Sequence, residues 1–411
     1  MDALIVCALV LGLLWSVIAE QLARWLISGP LFFVLGGMLA SVFFGQNLAQ
    51  ELSTTLAEKM IELILAVTFF SAAIEVRGGL NWAQAKLVIR LLFIALPLSI
   101  AFAFFTGRAL LPHFPWAVVL VLACILIPTD FSTAGAMLRD ERIHPRLRNT
   151  LNVESGYNGG LVSPLFVFAL AVAEGTRSVF LSLNAVEHAA WWAILSILVG
   201  LVIGSIFGWL VAECSKYDFM TAQSVRVGIL ALPLVTYAVA VGLNSNGFVA
   251  AFVAGISYRF TRARAGGDDV MERPELALVD DIGVFATAAI WFLFGCVSLT
   301  VLDGQFRWRL VLMAILALTV FRILPVFVSL IGSQTSWRER AVMGLVGPRG
   351  IAAIMCALLA FNTLDHYHGM SILYAGTFLV FGSLLMHGIV DPLITGTVLG
   401  IGRSKAPKHV M

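Results

Sequence analysis

The feature that most constrains the fold of this chain is the recurrence of apolar stretches long enough to cross a lipid bilayer as helix. A hydrocarbon core of about 30 Å needs roughly 20 apolar residues of helix. Of the 411 residues, 60% are hydrophobic and only 12% are charged. The sequence therefore predicts an all-α polytopic membrane protein. We place 13 spans, at residues 3–19, 25–44, 60–76, 88–107, 116–138, 149–173, 188–213, 223–242, 246–258, 279–300, 308–332, 340–361 and 370–400.

The lysines and arginines predict how these spans are oriented. If the first residues lie outside, 19 of the basic residues fall in inward loops and 5 in outward loops. Basic residues favour the cytoplasmic side, so we expect a multi-pass protein of the cell (inner) membrane with its N-terminus outside and its C-terminus cytoplasmic. We expect one transmembrane domain over residues 1–411, without a soluble regulatory domain. A net charge of +2 gives no support for a nucleic-acid partner.

Two spans are interrupted in a similar way. The fifth reads LACILIPTDFSTAGAML, with Pro128 and Asp130 inside it, and the twelfth reads GLVGPRGIAAIMCALL, with GPRG at 347–350. Proline removes a helix donor and clashes with the preceding turn, while glycine permits non-helical backbone. We therefore predict two helices broken near the bilayer centre. Such a pair, in corresponding inverted repeats, is typical of a secondary transporter.

Charged side chains inside these spans are costly and need a partner, water or a task. Glu154 and Arg349 are predicted to form an ion pair, which on a purely structural interpretation fastens two helices together. Arg322 needs a partner that the sequence does not identify. Asp130 stands at the helix break beside the hydroxyl and carbonyl oxygens of Thr129. These oxygens suit a small monovalent cation or a proton, and the alternative is a capping aspartate that satisfies broken backbone.

The sixth span contains the polar stretch NVESGYNGG at 152–160. Residues three and four apart are neighbours on a helix, so Ser155, Asn158 and Gly159 share one face. We predict that this face lines the cavity that Asp130 enters, with a monovalent cation held at Asp130 and Ser155. The alternatives are that the polar residues only hydrogen-bond helices together and that Gly159 and Gly160 only allow close packing.

Together these residues resemble the monovalent cation/proton antiporter family, in its sodium/proton exchanger (NhaP-like) branch. The resemblance covers nearly the whole chain and rests on the motifs PTD at 128–130, RDERIHPRLRNTL at 139–151, ESGYN at 154–158, FRILPVF at 321–327 and GPRG at 347–350. It implies thirteen helices, with a core bundle that holds crossed, unwound fifth and twelfth helices and a bundle that forms a homodimer. It also implies exchange of sodium or another monovalent cation for protons, and no cofactor.

Carried over by position, the resemblance implies that Thr129, Asp130 and Ser155 contribute to the ion site and that Glu154 and Arg349 form a structural ion pair. Asn158 would be the asparagine of the family's Asn-Asp pair. In the family, the next residue is the aspartate that holds cation and proton in turn.

This chain has Gly159 at that position. Three outcomes follow for a site without its central carboxylate: Asp130 takes over coupling, the protein binds or leaks ions without coupling, or it does not transport. The third span, FFSAAIEVRGGL, departs from the family too, which often has an acidic residue near the site. Here Ser71 and Ala72 stand in that region, and Glu75 is displaced toward the cytoplasm.

Two other function classes compete with a transporter. An intramembrane protease needs a nucleophile and base within reach, but Ser155 has no histidine at helical spacing and Asp130 has no evident second aspartate. We therefore expect that the chain is not an enzyme. A non-transporting sensor on the same fold would bind ions without flux.

Overall fold

The computed structural model describes residues 2–25, 27–44, 55–75, 82–131, 144–175, 184–217, 219–266, 273–302 and 305–387. These residues form helices joined by turns, and no strand occurs among them. The helices are α1 Asp2–Arg24, α2 Gly29–Phe44, α3 Thr55–Glu75, α4 Trp82–Arg90 continuing through a π-helical turn Leu91–Ala95 into α5 Leu96–Leu110, α6 Trp116–Leu126, α7 Pro145–Ala173, α8 Asn184–Ser215, α9 Ala222–Gly242, α10 Gly247–Gly266, α11 Arg273–Leu302, α12 Trp308–Leu318, α13 Val320–Ser329, α14 Trp337–Leu345, α15 Ile351–Thr363 and α16 His366–Leu385.

Within the described residues, eight helical segments are long and apolar enough to cross a membrane. Three further apolar helices are shorter: α2, α6 and α15. The all-helical, polytopic class predicted from the sequence is confirmed. The count of 13 spans stays a prediction, and so does the division into a core and a dimerisation bundle. Part of the last predicted span, residues 388–400, lies outside the described residues.

Helix α6 is short because it ends at the predicted break of the fifth span, and α15 is short because it begins after the predicted break of the twelfth. The far side of the first break, residues 132–138 of the predicted span, lies outside the described residues. Helix α6 ends at Leu126, and residues 128–130 are not helical. Pro128 has no N–H to continue the ladder, and it disfavours helical backbone in the residue before it. In the twelfth span, α14 ends at Leu345 and α15 begins at Ile351, so residues 346–350 separate two half-helices.

Away from the breaks, the helices pack through small residues. A Cβ atom added to Gly200 or Gly204 of α8 would lie 2.3 or 2.4 Å from a backbone oxygen of α10. Glycine at these positions lets two backbones approach closely, as is typical of helix pairs in membranes. The same close packing joins Gly37 of α2 with α11, where an added Cβ would lie 2.1 Å from the carbonyl oxygen of Phe292.

Candidate functional site: the crossing of two broken helices

The two interrupted stretches, residues 127–131 and 346–350, meet inside the protein, and we call this region the crossing. The backbone N–H of Asp130 donates to the carbonyl oxygen of Pro348 at 2.7 Å. A Cβ atom added to Gly347 would lie 3.0 Å from Cγ2 of Thr129. A donor freed by one broken helix thus satisfies an acceptor freed by the other, which buried backbone requires.

Asp130 also caps the second half-helix of the twelfth span. Its Oδ2 accepts a hydrogen bond from the N–H of Ala352 at 3.2 Å. The first N–H groups of a helix have no partner within the helix, and Gly350 at the N-cap position makes no side-chain cap to α15. A carboxylate at this end also interacts favourably with the helix dipole. The capping interpretation of Asp130 therefore describes one of its contacts, and its predicted ion-binding role stays a prediction.

The side chain of Arg349 donates hydrogen bonds to the C-terminal ends of two other helices. Its Nη1 donates to the carbonyl oxygen of Ile127, and its Nη2 donates to that of Ala317 at 3.2 Å. These carbonyls lie at the C-terminal ends of α6 and α12, where acceptors are left over and the helix dipole is negative. The backbone N–H of Arg349 donates to Ser383 Oγ of α16 at 2.7 Å. The side chain is fully buried.

The predicted ion pair between Glu154 and Arg349 is wrong, because the arginine that pairs with Glu154 is Arg322. Glu154 pairs with Arg322 in a two-point contact, in which Nη1 donates to Oε1 at 2.7 Å and Nη2 donates to Oε2 at 2.8 Å. The physical reason lies in the backbone. The helix breaks at Thr319 and restarts as α13, which brings Arg322 against Glu154. Arg349 instead donates to the carbonyls of Ile127 and Ala317, which are left over at the C-terminal ends of α6 and α12.

The polar face of α7 lies against the unwound fifth span, as the helical period predicted. Ser155 Oγ donates to the carbonyl oxygen of Thr129 at 3.2 Å, and Asn158 Nδ2 donates to Thr129 Oγ1 at 2.6 Å. Asn158 Nδ2 also lies 3.4 Å from Oε1 of Glu154, an acceptor. This contact fixes the orientation of the amide. Asn158 Oδ1 is then a buried carbonyl oxygen without a hydrogen-bond partner among the described residues.

Gly159 lies on the same helix at the edge of a small cavity of about 20 Å³. A cavity of this size accommodates about one water molecule. Its lining is mainly apolar and includes Phe69 of α3, Pro128 of the unwound stretch and Ala352, whose N–H binds Asp130. The structure thus brings Gly159 next to the crossing, together with Thr129, Asp130, Ser155 and Asn158.

Two residues of this region were not identified from the sequence. Arg322 is visible in the sequence as a charge in a span, but its partner depends on the break at Thr319. Residues 314–324 around this break contain no proline or glycine. Ser383 accepts a hydrogen bond from the backbone N–H of Arg349. It is one serine among many in apolar helices, so the sequence does not single it out. In the third span, Ser71 and Ala72 lie on α3 and are partly buried.

The crossing has the properties of an ion site in a transporter. Broken helices near the middle of a bundle expose carbonyls and helix ends, and these bind substrates and coupling ions in secondary transporters. The fold and the crossing define the class of the protein as a polytopic secondary transporter.

Comparison with known proteins narrows the class to a family. Residues 5–396 match the family described as sodium/hydrogen exchanger, transmembrane. The chain belongs to this family.

Among relatives, the Na(+)/H(+) antiporter 1 of Methanocaldococcus jannaschii is 27% identical over 361 residues, which cover 85% of this chain and 81% of the relative. The Na(+)/H(+) antiporter of Schizosaccharomyces pombe is 24% identical, with 88% of this chain and 80% of the relative covered. A solved structure of the sodium proton antiporter MjNhaP1 from Methanocaldococcus jannaschii superposes with a TM-score of 0.75 at 21% identity, covering 97% of this chain and 99% of that one. This likeness shows that the chain has the fold of that antiporter.

Proposed function

We propose that this protein exchanges a monovalent cation for protons across the cytoplasmic membrane by alternating access. The observation that carries the proposal is the oxygen cluster at the crossing. It combines the carboxylate of Asp130, the hydroxyls of Thr129 and Ser155, and the buried, unpartnered Oδ1 of Asn158. The antiporter names of the relatives agree with this assignment.

In this proposal each residue has a distinct role. Asp130 holds the cation or a proton in turn, so that neither state leaves a bare charge in the membrane. Ser155 Oγ and Asn158 Oδ1 supply neutral oxygens, and Thr129 orients Asn158 through the bond from Nδ2. Arg349 and the pair of Glu154 with Arg322 keep the half-helices together while the core moves.

Gly159 changes which group can couple the cation to the proton. The family's central carboxylate is replaced by a hydrogen atom, so Asp130 is left as the group for which cation and proton compete. Coupling carried by one carboxylate at a helix N-terminus is expected to differ from coupling carried by two. We further propose that the transport unit is a single transmembrane domain that forms a homodimer, with its N-terminus outside and its C-terminus in the cytoplasm.

A second candidate function is a cation-binding form that is either transport-inactive or uncoupled. The contact from Ala352 N–H to Asp130 favours this candidate, because a carboxylate that caps α15 already has a structural task. Such a protein would act as a sensor or a leak on the same fold.

The test is dissipation of a pH gradient in proteoliposomes on addition of NaCl, LiCl or KCl, with the unmodified chain, Asp130→Asn and Gly159→Asp. Asp365→Asn is the matched control, since it removes an exposed carboxylate at the start of α16 and keeps a capping residue there. Flux in the unmodified chain that is lost only in Asp130→Asn supports exchange at Asp130. Flux that persists in Asp130→Asn contradicts this assignment. Silence in the unmodified chain, with cation-dependent thermal stabilisation, supports the second candidate.

A further inference from the structure

The neighbouring glycines Gly159 and Gly160 differ in what a side chain would meet. A Cβ atom added to Gly160 would lie 2.4 Å from both Cγ and Cδ2 of Phe252. It would thus overlap the body of an aromatic ring. A Cβ atom added to Gly159 would lie 2.9 Å from Cε1 of Phe69 and 3.4 Å from its Cδ1. Gly160 is therefore required by packing, whereas the space beside Gly159 is restricted by the edge of one side chain.

Phe69 is held firmly in this place. It is buried at 5% exposure, and its ring packs edge-to-face on Phe248 with centroids 6.2 Å apart. Phe248 in turn packs on Tyr237 of α9 at 5.3 Å. Aromatic pairs of this geometry are favourable beyond the area that they bury. Phe69 can make room at position 159 only by shifting within these aromatic contacts.

The ring of Phe69 and the backbone of Gly159 are both walls of the 20 Å³ cavity at the crossing. Pro128 and Ala352 line the same cavity. Pro128 precedes Thr129 in the chain, and the N–H of Ala352 donates a hydrogen bond to Asp130. A side chain at position 159 would therefore share this space with Phe69, next to the group that we assign to the ion. Burying a carboxylate against an apolar ring without a partner is strongly unfavourable.

We propose that Phe69 determines whether the residue at position 159 can take part in ion binding, so that positions 69 and 159 act as a pair. With Phe69 and Gly159 the cavity is apolar and the ion is left to Asp130. With a small residue at position 69, a carboxylate at position 159 reaches the cavity and adds a second charged ligand beside Asp130. This inference rests on the proposed function, because it names the residue that sets the charge of the same site.

The packing part of the inference is tested by thermal unfolding in detergent, without any transport assay. Gly159→Ala is made in the unmodified chain, in Phe69→Ala and in Phe70→Ala. Phe70 is the matched control, because it is the adjacent residue, is fully buried and faces Gly255 of α10. Any gain in helix propensity from alanine is the same in the three backgrounds and cancels. We expect the fall in melting temperature caused by Gly159→Ala to disappear only in Phe69→Ala. An equal fall in all three backgrounds would overturn the pairing.

The binding part is tested with Gly159→Asp in the same three backgrounds. The measurement is the rise in melting temperature when choline chloride is replaced by NaCl, LiCl or KCl at constant ionic strength, since a cation that binds the folded state stabilises it. We expect the largest rise in Phe69→Ala/Gly159→Asp, and equal, smaller rises in Gly159→Asp alone and Phe70→Ala/Gly159→Asp. Equal rises in all three, or none in any, would overturn the proposal.

These variants also separate the inference from the proposed function. Loss of flux in Asp130→Asn is measured in a chain that keeps both Phe69 and Gly159, so it tests the role of Asp130 alone. A chain that exchanges ions at Asp130 but shows no coupling between positions 69 and 159 contradicts only the inference. If the variants show the expected coupling in both melting-temperature tests but the unmodified chain shows no flux, only the proposed function is contradicted.

Discussion

The crossing and the interface between α8 and α10 are both interior to the protein, and they are built in opposite ways. At the crossing, each broken end is satisfied by a specific polar partner, such as Ala352 N–H by Asp130 and the Ile127 carbonyl by Arg349. At the interface, glycines of α8 lie against backbone oxygens of α10, and an added Cβ would be 2.3 to 2.7 Å from them. Polar partners hold broken backbone together at the crossing, whereas close packing alone holds continuous helices together at the interface.

The difference teaches where charge is tolerated in this fold. Lipid gives no hydrogen bonds, so any helix that breaks in the membrane must bring partners for its free groups. The carboxylate at the crossing lies at a helix N-terminus and the guanidinium of Arg349 at two helix C-termini, as the signs of the helix dipoles favour. Continuous helices such as α8 and α10 satisfy their own backbones and therefore need only shape.

The largest expected effect is at the crossing side of the comparison, in the buried pair of Glu154 and Arg322. Removing one partner leaves an uncompensated buried charge, which costs roughly 3–5 kcal/mol. Arg322→Leu or Glu154→Leu should therefore lower the free energy of unfolding by about that amount, measured by denaturation in detergent.

The double variant Glu154→Leu/Arg322→Leu is the control for this prediction. It removes both charges, so it should be markedly more stable than either single variant. Arg349→Leu combined with Glu154→Leu should show no such recovery, because Arg349 binds the Ile127 and Ala317 carbonyls instead. Recovery with Arg349 and not with Arg322 would contradict the observed pairing.

The next effect is on the packing side. Gly204→Ala places a methyl group against the Ala254 carbonyl oxygen, 2.4 Å away, so α8 must move off α10. Overpacking of this kind costs about 1–3 kcal/mol. Gly12→Ala in α1 is the matched control, because a Cβ there meets nothing within 4 Å. We expect a lower melting temperature only for Gly204→Ala, with the order of cation preference in the flux assay unchanged. A changed order of cation preference in Gly204→Ala would contradict the view that the interface of α8 and α10 has only a structural role.

How much of these two regions follows from sequence depends on whether the signal is local. Pro128 and the GPRG stretch break helices through their own backbone chemistry, so the end of α6 and the gap between α14 and α15 are predictable from the sequence. The face shared by Ser155 and Asn158 follows from the helical period alone. The partner of Glu154 does not, because two arginines lie in apolar segments and the choice between them depends on a break at Thr319 that no proline or glycine announces. The lack of space for a side chain at Gly159 is likewise not visible in the sequence, because it comes from Phe69 on another helix.

Removing the hydroxyl of Thr129 is expected to have a smaller effect on stability and, in addition, to lower cation-driven flux. Thr129→Val removes the acceptor of the 2.6 Å bond from Asn158 Nδ2 and keeps the shape of the side chain. A lost hydrogen bond of this kind costs about 1 kcal/mol. Thr236→Val is the matched control, since Thr236 is equally buried and its hydroxyl bonds only to the carbonyl of Leu232 in its own helix. Both variants should lose similar stability, and only Thr129→Val should lower cation-driven flux. Equal flux in the two would remove Thr129 from the site.

The smallest effect on stability is expected outside both regions, at Asp365 at the start of α16. Asp365 accepts from the N–H groups of Tyr367 and His368, and the hydrogen bond from the His368 side chain is the main cause that holds the pKa of Asp365 below its ordinary value. A depressed carboxyl pKa gives a stabilisation that is complete above the ordinary pKa of aspartate, near 3.9, and is lost as pH falls through the lower folded value. Because the carboxylate is mostly exposed, this contribution is small.

Two variants at this position separate cap from charge. Asp365→Asn keeps an N-cap residue and should lose only the pH-dependent part, whereas Asp365→Ala should lose in addition the cap, worth about 0.5–1 kcal/mol. Melting temperatures from pH 7 down to 3 should therefore fall more steeply for the unmodified chain than for Asp365→Asn, while flux at neutral pH is the same in both. A carboxylate outside the membrane can thus be lost at little cost, and an effect of Asp365→Asn on flux as large as that of Asp130→Asn would mean that the assay reports on surface charge and not on the crossing.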